Sequence, residues 1–153
     1  MVVPIKRIET VINDFFEQGD KHFTNFIIDV FCCGCDNHCP ECHNKDLWHA
    51  EKTDEMDVIE IINEIDKRSN FTKTVRFLGG DFLLYPKEYY EISKELKGMG
   101  FTNILYTGKT EEYVKELNIL DNTDVILYGK YNKVDESKRK QYEGRYKHND
   151  NNN

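Results

Sequence analysis

The spacing of apolar positions changes along the chain, and each change marks an element. FIIDVF, Phe26 to Phe31, is a short run of β-formers that stops at Cys32, Cys33 and Gly34. From Asp54 to Lys67, Val58, Ile59, Ile62 and Ile65 recur at helical spacing, with Thr53 as a candidate N-cap. A strand signal returns in KTVRFL, Lys73 to Leu78, and ends on Gly79-Gly80. Pro86 suits the first turn of a helix that Gly98 or Gly100 terminates. NILYT, Asn103 to Thr107, is the next strand, closed by Gly108. Thr110 then caps a short helix through Leu117, and DVILYG, Asp124 to Gly129, is the last strand. Strands alternating with helices of this length predict βαβ units, hence an α/β protein with a mainly parallel sheet. The N-terminal stretch is ambiguous. Ile8, Val11, Ile12, Phe15 and Phe16 fit one helical face, and Ile8 to Ile12 fits a strand equally well.

The unusual residues fall at the ends of these strands. The cysteine-rich stretch after Phe31, then Gly79-Gly80-Asp81, Thr107-Gly108 and Gly129-Lys130, each follow a predicted strand directly. In parallel α/β sheets and barrels the C-terminal strand ends share one edge, and that edge holds the active site. One site assembled from four loops is therefore expected.

Composition narrows what that site does. A chain of 153 residues suits one domain, expected over residues 1–147 with a frayed polar tail at 148–153. A net charge of −7 argues against a general nucleic-acid binder. No apolar run approaches the roughly 20 residues of a membrane span, and the start MVVPIKRIETVIND lacks a signal-peptide layout. The chain reads as cytoplasmic, a compartment that keeps thiols reduced. All five cysteines lie between Cys32 and Cys42, and an odd, clustered set in a reducing compartment suggests metal or redox chemistry. Residues 130–147 carry seven basic and three acidic side chains, which makes them either a solvated face or a docking surface for an acidic partner loop.

Three uses of the thiols compete. A zinc site could pair Cys32-x2-Cys35 with Cys39-x2-Cys42, but such pairs are usually about 12 to 20 residues apart. Here three residues separate them, although His38 and His43 could substitute as ligands. A thioredoxin-like C-x-x-C should open a helix, and Pro40 with the extra cysteines fits that poorly. The remaining subset is Cys35-x3-Cys39-x2-Cys42, three thiolates within eight residues. Three ligands leave one iron of a [4Fe–4S] cluster open to a substrate. Cys32 and Cys33 then read as buried strand-end residues or, alternatively, as neighbours of the cluster.

C-x3-C-x2-C after one strand and GGD after a later one resemble the radical S-adenosylmethionine (SAM) enzymes. GCDNHCPECHNKDLW, then LGGD, YTGKTEEY and DVILYGKY, in this order over about Phe26 to Tyr131, resemble the activating proteins of anaerobic ribonucleoside-triphosphate reductases. The resemblance implies a small partial (β/α) barrel and a glycyl-radical activase. It also implies that Cys35, Cys39 and Cys42 hold a [4Fe–4S] cluster, whose fourth iron SAM chelates, so that one electron cleaves the sulfonium. By the same resemblance Gly79 and Gly80 let backbone approach the methionine moiety, and Asp81 offers a carboxylate to the SAM ammonium. Backbone near Glu41 and His43 recognises adenine, and Thr107 and Gly108 pack beside the ribose or methionine. The implied partners are the large subunit of an anaerobic ribonucleotide reductase, through its glycyl-radical loop, and an electron donor such as a flavodoxin. Four features depart from the family pattern: Glu41 precedes Cys42 where an aromatic or small residue is usual, Phe82 follows the GGD where proline is common, Tyr128 stands where an acidic residue often precedes the glycine, and YEGRYK, Tyr142 to Lys147, takes the place of a serine- and asparagine-containing segment.

Overall fold

Strand β1 (Val2–Ile12) settles the N-terminal ambiguity in favour of extended chain. It pairs antiparallel with β2 (Phe26–Cys32), and its register slips between Ile5 and Arg7. That bulge explains the misleading pattern, because it returns Ile8 to the side of the sheet already holding Val3 and Ile5. In the computed structural model, residues 1–12, 24–34, 54–129 and 144–147 are described, the last four by backbone alone. Phe15, Phe16, Thr53 and residues 130–143 lie outside them.

The other elements follow in chain order: β3 (Glu55–Asp57), α1 (Val58–Asp66), β4 (Thr74–Gly79), α2 (Pro86–Gly98), β5 (Thr102–Tyr106), α3 (Glu111–Glu116), β6 (Val125–Tyr128) and β7 (Gly144–Lys147). The described strands make one sheet in the order β3-β1-β2-β4-β5-β6-β7. β2, β4, β5 and β6 are mutually parallel, and β1, β3 and β7 add antiparallel margins. Because β2, β4, β5 and β6 neighbour one another in chain order, the sheet winds in one direction, as a partial barrel does, without a topological switch.

One face of this sheet packs against the helices. Val58, Ile61 and Ile65 of α1 and Tyr89, Ile92 and Leu96 of α2 meet Val30, Val75, Phe77, Leu105 and Ile126. Burial of each such aliphatic side chain contributes about 1.5–3 kcal/mol. Asp57 caps α1 through the Ile59 amide, one turn later than the sequence suggested, because the short β3 takes up residues 55–57. Thr110 caps α3 as expected, accepting from the Tyr113 amide.

The opposite face carries Ile27, Ile104, Tyr106, Val125 and Leu127, and among them a buried ion pair. Asp29 and Arg76 are direct cross-strand partners, and the guanidinium grips the carboxylate by two bonds, Nε–Oδ1 at 2.7 Å and Nη2–Oδ2 at 2.9 Å. Burial raises the Asp29 carboxyl above the ordinary carboxylate range, against the lowering by Arg76. Burial alone would lower Arg76, but its bond to Asp29 outweighs that and keeps the guanidinium charged. A one-residue register slip between β2 and β4 would bury two uncompensated charges, so the pair also fixes alignment at the strands that launch the first two loops.

Candidate functional site

The described beginnings of the four loops predicted to converge, as far as Gly34, Asp81, Lys109 and Gly129, are joined at one edge. At the end of β2, opposite Gly79 in register, the chain turns through Cys33 and Gly34. Cys33 N–H donates to Pro4 O at 2.8 Å, which ties this end to β1. Gly80 N–H donates to Cys32 O and Asp81 N–H to Gly34 O, both at 2.8 Å, so the loop after β4 lies against the end of β2. The Asp81 carboxylate reaches the loop after β5: Thr107 Oγ1 donates to it at 2.9 Å and Gly108 N–H donates to Oδ2 at 2.9 Å. Finally Thr107 N–H donates to Leu127 O and Gly129 N–H to Lys109 O, which ties the loop after β5 to the end of β6. A continuous chain of hydrogen bonds therefore crosses the whole C-terminal edge.

The glycine pair is needed for this assembly. Gly79 has φ +112°, in the region that favours glycine, and a Cβ there would lie 2.5 Å from Cys32 O. At Gly80 a Cβ would lie 2.1 Å from Gly34 O. The space a side chain would take at both glycines is filled by the backbone of Cys32–Gly34. Phe82, the departure after the GGD, is wholly buried, with its ring edge-on to Phe77 at 5.2 Å between centroids. It anchors a single 3₁₀ turn, Phe82–Leu84, whose first free amide, Leu83 N–H, donates to Asp81 Oδ1. Tyr128, the departure before Gly129, donates to Glu111 at 3.1 Å.

Tyr85 is a member of the site that the sequence did not reveal, because a lone tyrosine after a turn has no periodic signal. Its hydroxyl donates to Cys33 O at 2.8 Å and sits where a Cβ on Gly34 would fall. Burial, then the neighbouring Cys32, Cys33 and Glu88, pushes this hydroxyl up to about 12, so it remains a donor at neutral pH. We expect Tyr85→Phe to cost about 1 kcal/mol in denaturant unfolding, the net worth of one neutral hydrogen bond. A cost below a few tenths would show that the hydroxyl does not fix the end of β2.

Cys32 and Cys33 are both buried, on opposite faces of the sheet. Cys32 belongs to the helix-side core with Val3, Ile5 and Val30. Cys33 lies with Phe31 and Leu78, its Sγ 3.7 Å from Asp54 Oδ2. Cys35, Cys39, Glu41, Cys42 and His43 lie outside the described residues. Among the described residues no three His, Cys, Asp or Glu side chains gather to hold a metal ion. Cys35, Cys39 and Cys42, the candidate cluster ligands, follow Gly34 in the chain. Their soft thiolate chemistry fits an iron–sulfur cluster. Among the described residues no helix is long and apolar enough to cross a membrane.

A sheet edge that launches a cysteine loop is the setting of an iron–sulfur domain, and comparison bears this out. Residues 26–150 match the family model of the 4Fe-4S single cluster domain, and the chain belongs to that family. The crystal structure of QueE from Escherichia coli shares the fold, with a TM-score of 0.53 at 16% identity, over 71% of this chain and 54% of that one. The chain thus spans about half of QueE. No curated protein matches the sequence. The family match therefore shows a 4Fe-4S single cluster domain, and the likeness to QueE shows the fold.

Proposed function

We propose that the protein is a radical SAM activase that generates a glycyl radical on the large subunit of an anaerobic ribonucleotide reductase. The observation that carries this is the pinned exit of the three-cysteine loop at Gly34, hydrogen-bonded to the GGD loop at the C-terminal edge of a 4Fe-4S family domain. Cys35, Cys39 and Cys42 would hold the cluster, and Glu41 and His43 in the same loop would lie by the adenine. When bound and reduced, the cluster supplies the electron that cleaves the SAM sulfonium. The chain's own contribution is to position that loop and to keep water from the reacting centre. Cys33, Gly34 and Gly80 fix the loop's exit, and Asp81, Thr107 and Gly108 hold the adjoining turn. The subfamily assignment rests on the YTGKTEEY and DVILYGKY stretches. A zinc-knuckle reading is less favoured, because its first pair would have to draw Cys32 out of the core.

The direct test mixes the reduced protein with SAM and a reductase large subunit without oxygen. A glycyl-radical EPR signal on the large subunit, with methionine formed, is expected. Cleavage of SAM without that signal would redirect the assignment to another glycyl-radical enzyme or peptide. No cleavage under reducing conditions would overturn it.

A further inference from the structure

We propose that Asp81 is a positioning residue that locks the loop after β4 to the loop after β5, and that the SAM ammonium is bound by other groups. The carboxylate is fully buried. Its Oδ1 accepts from Leu83 N–H at 2.9 Å, and its Oδ2 from Gly108 N–H at 2.9 Å. The Thr107 hydroxyl lies 2.9 Å from both oxygens and donates its one hydrogen between them. A carboxylate has about four acceptor positions. Three hydrogens from two separate loops take at least three of them, around a group with no exposed surface. An ammonium would have to open the packing around this buried group or displace one of these donors, which would be left without a partner at a cost of about 1–3 kcal/mol.

The bonding is also directional. Leu83 N–H opens the turn that buries Phe82, so one oxygen reads the conformation of the β4 loop. Gly108 N–H reports on the β5 loop through the other. The Thr107 hydroxyl spans both oxygens and accepts in turn from Lys109 N–H at 3.2 Å. Asp81 and Thr107 thus act together, and Gly108 N–H adds a second tie from the β5 loop to the same carboxylate. Only the part that concerns SAM rests on the function proposed above.

The test is a double-mutant cycle on the cluster-loaded, full-length protein, with Asp81→Asn, Thr107→Val and the double variant. The readouts are thermal unfolding and SAM affinity. Affinity is measured for SAM and for its analogue lacking the amino group, and iron content is checked in each variant. The two single variants should each weaken SAM about tenfold, and the double variant by no more than about threefold beyond either, because linked groups are not additive. The same factors should hold for the desamino analogue, and Thr107→Ser should restore wild-type affinity. A loss above about a hundredfold for Asp81→Asn that vanishes with the desamino analogue, with Thr107→Val nearly silent, would overturn the proposal in favour of direct contact. If wild-type protein binds no SAM, the proposed function fails separately. The strut is then decided by unfolding alone: strong coupling between the two substitutions supports it, and additive melting shifts reject it.

Discussion

Gly80→Ala is expected to destabilise the protein by about 2–4 kcal/mol and to prevent cluster assembly. The methyl group would sit 2.1 Å from Gly34 O, a backbone atom with no rotamer to move away. Relief requires the β4 loop and the end of β2 to separate. That breaks the Gly80 N–H to Cys32 O and Asp81 N–H to Gly34 O bonds, both in a buried setting. Overpacking costs about 1–3 kcal/mol and the lost hydrogen bonds about 1 kcal/mol more. The measurements are urea unfolding of the apo protein and iron content after reconstitution. By contrast Gly98→Ala, in α2 with no atom within 4 Å of a built Cβ, should leave both unchanged or raise stability slightly. If Gly80→Ala matches Gly98→Ala, the two strand ends are not in the contact described.

Cys39→Ala is expected to abolish the cluster and SAM cleavage together, because two thiolates cannot hold a cubane that has only three protein ligands. Cys32→Ala is the control. It removes a sulfur from the core, costs about 1 kcal/mol of stability and retains iron, because Cys32 packs among apolar side chains on the helix face. Anaerobic reconstitution with iron and sulfide analysis separates the two. A Cys39→Ala protein that keeps a four-iron cluster, or a Cys32→Ala protein that loses it, would show that the ligands are wrongly assigned.

How much of this was legible in the sequence follows from the range of each interaction. The strands and helices from Phe26 to Gly129 declared themselves, because each buries a face whose period is local. β1 did not, because the bulge before Arg7 breaks its alternation, and the three residues of β3 are too few to carry a pattern. Convergence of the four loops was readable from topology alone. What the glycines clear was not, since Gly80 meets Gly34 across 46 positions of chain. The Asp29–Arg76 pair had a signal that went unused: one acid inside FIIDVF and one base inside KTVRFL, each in the middle of an otherwise apolar strand. Asp81 stood out by its place after the glycine pair, but its partners Thr107 and Gly108 come from another loop, which only the fold brings within reach.

The central claim is that the loop leaving Gly34 holds a cluster with one iron left for SAM. The most direct measurement is the iron, sulfide and zinc content of anaerobically purified protein, with EPR of the reduced sample before and after SAM. About four irons per chain and a cubane signal that SAM alters are predicted. Stoichiometric zinc with no EPR signal, or a cubane indifferent to SAM, would contradict the account.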